Sequence, residues 1–170
     1  MDFARRIEER RAARILAAET AAAATAQAAA AALPRIGALR RAMHECLGGM
    51  AGNPDFDAEF GTDAFSEYVS PPGRKAAGYL AEDQTDWRCT FTNGNGGASE
   101  ASILISVPPG DGPATCTVQA SPRGSGVFRL PPLAAGIPVS SPGDIAAIVG
   151  DCMADYVLDR RAAAPQGPRG

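Results

Sequence analysis

The spacing of apolar positions changes several times along this chain, and the changes divide it. From Asp2 to about Leu33 large apolar side chains are sparse. Phe3, Ile7 and Ile15 fall at helical spacing, Arg5, Arg6, Arg10, Arg11 and Arg14 alternate with Glu8 and Glu9, and alanine fills most of the rest. Alanine is the best helix former because it has no side-chain entropy to lose. The segment therefore predicts a long helix with a solvated, charge-laced face. Pro34 lacks an N–H and clashes with the preceding turn, so it is expected to break or kink the helix there.

A second helix is predicted from Arg35 to about Leu47, where Ile36, Leu39, Met43, Cys46, Leu47 and Met50 make an amphipathic stripe. Gly48, Gly49 and Gly52 end it. Residues Asn53 to Glu82 interleave acids with aromatics and show no clear period. The pattern then switches to a period of two. Asp86–Thr92 alternates Trp87, Cys89 and Phe91 with polar residues, which predicts a strand with one buried face. Ser102–Val107, Ala114–Ala120 and Val127–Leu130 read as three more, each joined to the last by Gly/Pro-rich turns. Trp87 is expected as a core anchor. Ser141, Pro142 and Asp144 suit the start of a C-terminal helix, whose apolar face carries Ile145, Ile148, Val149, Cys152, Met153 and Tyr156. Asp151, Asp155 and Asp159 line its other side, and Arg160 and Arg161 suit its C-terminal end.

The expected architecture is α+β: a long Ala-rich helix, a second amphipathic helix, a four-stranded antiparallel meander and a C-terminal helix packed on the sheet. The expected units are an extended arm over residues 1–33, a small α+β domain over 34–161 and a disordered tail over 162–170. In such a meander Cys89 and Cys116 lie on strands that are not neighbours, which disfavours a disulfide between them.

Charge refines this picture. The 170 residues carry a net charge of −3, unevenly placed. Residues 1–50 hold eight arginines against five acids, and residues 51–100 hold three bases against nine acids. The overall acidity argues against nucleic acid or an anionic membrane as the partner of the whole chain. The Arg-rich start is diluted by acids and has no interleaved aromatics for base stacking. Fifteen arginines against the single Lys75 fit GC-rich codon usage.

Candidate chemistry is thin. Cys46, Cys89, Cys116 and Cys152 form no C-x-x-C pair, and His44 is the one histidine, so no metal site is expected. The start has no apolar core of a signal peptide, and Glu19, Thr20, Thr25 and Gln27 interrupt the alanine run. A cytoplasmic protein with free thiols, or one built into a particle assembled there, is the expectation. Calcium ligation from Asp55, Asp57 and Glu59 fails the EF-hand pattern, since Phe60 stands where glycine is needed and Ser66 where glutamate is needed. Asn93–Ser99 is rich in glycine but lacks the Lys-Ser/Thr of a P-loop. His44, Glu45 and Cys46 are consecutive on a helix and point about 100° apart, so they form no catalytic cluster by themselves. No catalytic residue, metal or cofactor is expected.

A long helix with so few core residues has little to gain from its own domain, and helices in water owe most of their stability to packing. It is better suited to lie closely against a partner. The expected function is that of a non-enzymatic structural or assembly subunit. Its N-terminal helix would associate with copies of itself or with a neighbouring protein through Phe3, Ile7, Arg10, Arg14 and Ile15. By analogy of layout alone, phage and bacterial multi-subunit particles are a natural setting. The alternative is a small binding or regulatory module that recognises a protein or peptide through the sheet and the segment 53–68. That reading requires Phe56, Phe60, Phe65 and Tyr68 to be exposed.

Overall fold

In the computed structural model, residues 3–61, 66–70, 72, 83–91, 96–126 and 129–163 are described. Helix α1 spans Phe3–Met50 without a break, 48 residues with Pro34 inside it. The expected division into two helices at Pro34 is thus corrected. A proline inside a helix costs about 3 kcal/mol through the lost hydrogen bond and the clash. Here the cost is met on both sides of the proline: Ala32 and Ile36, Leu39, Met43 and Leu47 are all buried against the domain. Pro34 itself faces solvent.

A short helix α2, Pro54–Phe60, follows at once. Asn53 caps it by accepting from the N–H groups of Asp55 (2.9 Å) and Phe56 (3.3 Å), and Pro54 takes the first position. Five strands then form one antiparallel sheet in sequential order: β1 Ser66–Ser70, β2 Thr85–Phe91, β3 Ser99–Val107, β4 Ala114–Pro122 and β5 Ala134–Val139. Helix α3, Pro142–Ala163, closes the fold. Its start is held by Asp144, whose Oδ2 accepts from the N–H of Ser140 and of Ser141, each at 2.8 Å.

The meander matches the expected α+β class with one strand more than the four expected. The central three strands are those read from alternation. Neither edge strand is. Val127–Leu130, expected as the fourth strand, is not one at Arg129 and Leu130, which lie in a turn; Val127 and Phe128 fall outside the described residues. The fourth neighbour is instead Ala134–Val139, which reaches β4 past an irregularity between Cys116 and Val118. Gly136 sits there at φ 58° and donates its N–H to Thr117 Oγ1 at 2.9 Å. An edge position tolerates Pro138, because one side of the strand has no ladder to complete.

One face of the sheet carries the core. Trp87, Cys89, Phe91, Ala101, Ile103, Ile105, Val107, Cys116 and Val118 are buried under the helices. Helix α1 packs on α3, β2 and β3, and α3 packs on β4 and β5. Helix α2 lies across the start of β3, so close that a Cβ on Gly97 would fall 2.8 Å from the carbonyl carbon of Phe60. The register places Cys89 opposite Ile103 and Cys116 opposite Ile105, and the cysteines are free. Ala162 and Ala163 complete α3, so the expected tail begins inside the helix; residues 164–170 lie outside the described ones.

Candidate functional site

The most unusual surface is the first half of α1. Every residue from Phe3 to Ala24 is exposed, a helical arm about 33 Å long at 1.5 Å per residue. Burial begins only near Thr25, Ala28 and Ala29 and becomes complete at Ala32. On the arm Phe3 is 74%, Ile7 42% and Ile15 54% exposed, with Leu16 exposed as well. Arg10 and Arg14 are exposed beside them. The five arm residues singled out from sequence are thus brought together on one unburied helix.

Between described residues, the arm makes local side-chain bonds. Arg5 pairs with Glu9 at 3.0 Å and Arg11 with Glu8 at 2.7 Å. Thr20 and Thr25 donate their hydroxyls to the carbonyls of Leu16 and Ala21. These contacts support an exposed helix by a few tenths of a kcal/mol per ion pair. None of them ties the arm to the domain.

Where the arm meets the domain, Arg35 ties α1 to a loop across the fold. Its guanidinium donates to the carbonyls of Pro108 (3.4 Å), Gly110 (2.7 Å) and Gly112 (2.5 Å). The turn between β3 and β4 is therefore clamped to α1 one residue after Pro34. Two turns further on, Arg40 and His44 both pair with Glu67 of β1. Burial pulls the Glu67 carboxyl upward, but its hydrogen bonds and ion pairs with Arg40 and His44 outweigh this and hold it below the usual carboxylate range. The spacing of Arg40 and His44 on one helix face is visible in the sequence; the acid they share is not.

The acidic-aromatic segment is divided by the fold. Phe56 and Phe60 are buried at 7% and 1%, in a ring cluster with Phe91 and Tyr156. As members of an exposed recognition surface these two are corrected: α2 is amphipathic and turns both rings onto the sheet. Tyr68 is 64% exposed on the edge strand β1. Phe65 lies outside the described residues.

Beside that cluster a polar node cross-braces three elements. The Ser99 hydroxyl of β3 donates to Glu59 Oε2 at 2.6 Å and shares a hydrogen bond with the Tyr156 hydroxyl at 2.9 Å. Arg160 reaches the same Glu59 oxygen at 3.5 Å, and Arg161 pairs with Asp55 at 2.6 Å. A serine beside a carboxylate has the connectivity of an activated nucleophile. At 1% exposure, however, Ser99 offers a substrate no approach.

The thiols are held in their neutral form. Burial pushes Cys116 up to about 12 and raises Cys89 further; Cys46 and Cys152 are also raised, in each case chiefly by burial. Among the described residues no group of three or more His, Cys, Asp or Glu could hold a metal ion. No helix among them is long and apolar enough to cross a membrane.

A shallow groove of about 300 Å³ runs between the end of α1, α2 and α3, lined by Met50, Phe56, Met153, Ala154, Val157 and Leu158 among others. Leu158 is 61% exposed at its rim. No protein-family model, curated protein or solved structure matches this chain, so no relative lends it a function.

Proposed function

We propose that this protein is a non-enzymatic structural or assembly subunit that associates through the N-terminal half of α1. One observation carries the reading: from Phe3 to Ala24 the helix is exposed throughout, yet it presents Phe3, Ile7, Ile15 and Leu16. Isolated helices in water are marginal and gain most of their stability from tertiary packing. An arm continuous with the domain core, with small alanines and a few large apolar side chains, suits close helix–helix contact. Burial of Phe56 and Phe60 counts against the alternative of a recognition surface made by segment 53–68.

The test is the mass in solution, by light scattering on a sizing column. The full chain is expected to be an oligomer, and the Ile7→Asp/Ile15→Asp variant a folded monomer with an unchanged circular dichroism spectrum. A wild-type chain that stays monomeric alone rules out self-association.

A further inference from the structure

The partner of the arm can be specified further, on the basis of the assembly reading just given. Arg6, Arg10 and Arg14 recur every fourth residue and are exposed. None of them has an ion-pair partner among the described residues. Residues three and four apart are neighbours on a helix, so this basic row adjoins the apolar row of Phe3 and Ile7.

Helix α3 carries the complement. Asp151, Asp155 and Asp159 recur at the same spacing, are exposed, and likewise have no ion-pair partner among the described residues. They adjoin the row of Ala154 and Leu158, which forms the rim of the groove beside α2. Each helix thus presents an apolar row flanked by three like charges, spread over about 12 Å of rise.

The handedness also agrees. On the arm each charge follows its apolar neighbour by three residues, as Arg6 follows Phe3 and Arg10 follows Ile7. On α3 each charge precedes it by three, as Asp151 precedes Ala154 and Asp155 precedes Leu158. The charged rows therefore lie on opposite sides of their apolar rows. Two helices facing each other with that relation bring both pairs of rows together when they run parallel.

The arm cannot serve its own α3. Its continuation, from Ala32 to Leu47, is already packed in the domain core, and α1 is unbroken. Folding back would require breaking the helix. We infer that the occupant is a second copy of this chain: the arm of one molecule lies parallel to α3 of another. In that arrangement Arg6, Arg10 and Arg14 face Asp151, Asp155 and Asp159, and Phe3 and Ile7 seat at the groove rimmed by Ala154 and Leu158. Charge complementarity of this kind sets register and partner choice, and weakens with salt.

Charge reversal tests it on the full chain. Arg6→Glu/Arg10→Glu/Arg14→Glu and Asp151→Arg/Asp155→Arg/Asp159→Arg alter only exposed positions, and circular dichroism checks that each variant folds. Sedimentation at low salt should show each alone associating at least about tenfold more weakly than wild type. An equimolar mixture of the two should recover wild-type association, because every arm then meets a matching α3. The milder Asp151→Asn/Asp155→Asn/Asp159→Asn variant should weaken association to an intermediate degree. If the α3 variants associate like wild type, or the mixture fails to recover, this pairing is overturned while arm-mediated assembly stands. If the wild-type chain is monomeric throughout, self-assembly itself fails.

Discussion

Met43→Ala and Ile7→Ala each remove a large apolar side chain from the same helix, and they should have opposite thermodynamic characters. Positions 7 and 43 are about ten turns apart, so on an ideal α-helix they share one azimuth. Met43 is 0% exposed and sits in the core; Ile7 is 42% exposed. Truncating a fully buried methionine costs about 2–5 kcal/mol, from lost transfer energy and the cavity left behind. With Ile36, Leu39 and Leu47 packed around it, a value near 3 kcal/mol is expected. Ile7 lies on the exposed arm, outside the buried core. Ile7→Ala should change the stability of the isolated molecule by no more than about 0.5 kcal/mol, with the higher helix propensity of alanine acting in its favour. Association alters this in a recognisable way, because a partner that binds only the folded state stabilises it by mass action. The cost of Ile7→Ala should therefore grow with protein concentration, whereas that of Met43→Ala should be present at every concentration. Urea unfolding followed by circular dichroism, at two concentrations about a hundredfold apart, separates the two. A cost above about 1 kcal/mol for Ile7→Ala at the lower concentration would refute the reasoning, since it would mean that the arm packs on its own domain.

Four further outcomes follow from the geometry. Pro34→Ala supplies the missing N–H and should raise stability by about 1–3 kcal/mol; a fall in thermal midpoint would show that the local backbone is built around the proline. Arg35→Ala removes the clamp on the turn after β3 and should cost about 1–3 kcal/mol, with faster amide exchange confined first to residues 108–113. Glu67 has a folded pKa below its unfolded value, so its contribution is present above the unfolded value and is lost as pH falls through the folded one. The stability difference between wild type and Glu67→Gln should accordingly be largest near neutral pH and shrink in acid, and a difference that is flat with pH would contradict the ion-pair assignment. Cys89 and Cys116 should resist alkylation at about pH 8 in the folded protein and react once it is unfolded, which mass spectrometry reads directly.

Some of this was legible in the residues because the physics involved is local. The alternation at Trp87, Cys89 and Phe91 marks one buried face of a strand, and Ser141-Pro-Gly-Asp144 marks a helix start; both need only neighbours along the chain. Helix α2 was not read from the residues: Asn53 and Pro54 supply a cap and a first position, but the acids around its two phenylalanines obscured the pattern.

The edges of the sheet were not legible. Tyr68 and Val69 of β1 are exposed, and β5 buries only Val139 completely, so neither strand shows the alternation that reveals a half-buried element. Their place is set by hydrogen bonds to β2 and β4, which are contacts distant in sequence. The same holds for the shared ion pairs of Glu67 and for Arg35, whose partners lie across the fold.

By itself the sequence determined that the first thirty or so residues are helical and poor in core side chains, because helix propensity and alanine's small apolar area are properties of single residues. Only the tertiary structure decided that Pro34 does not end that helix. Burial of Ala32, Ile36, Leu39, Met43 and Leu47 on either side of the proline is worth more than the one hydrogen bond it removes, and that burial exists only once the sheet and α3 are in place. The arm is continuous with the domain for the same reason.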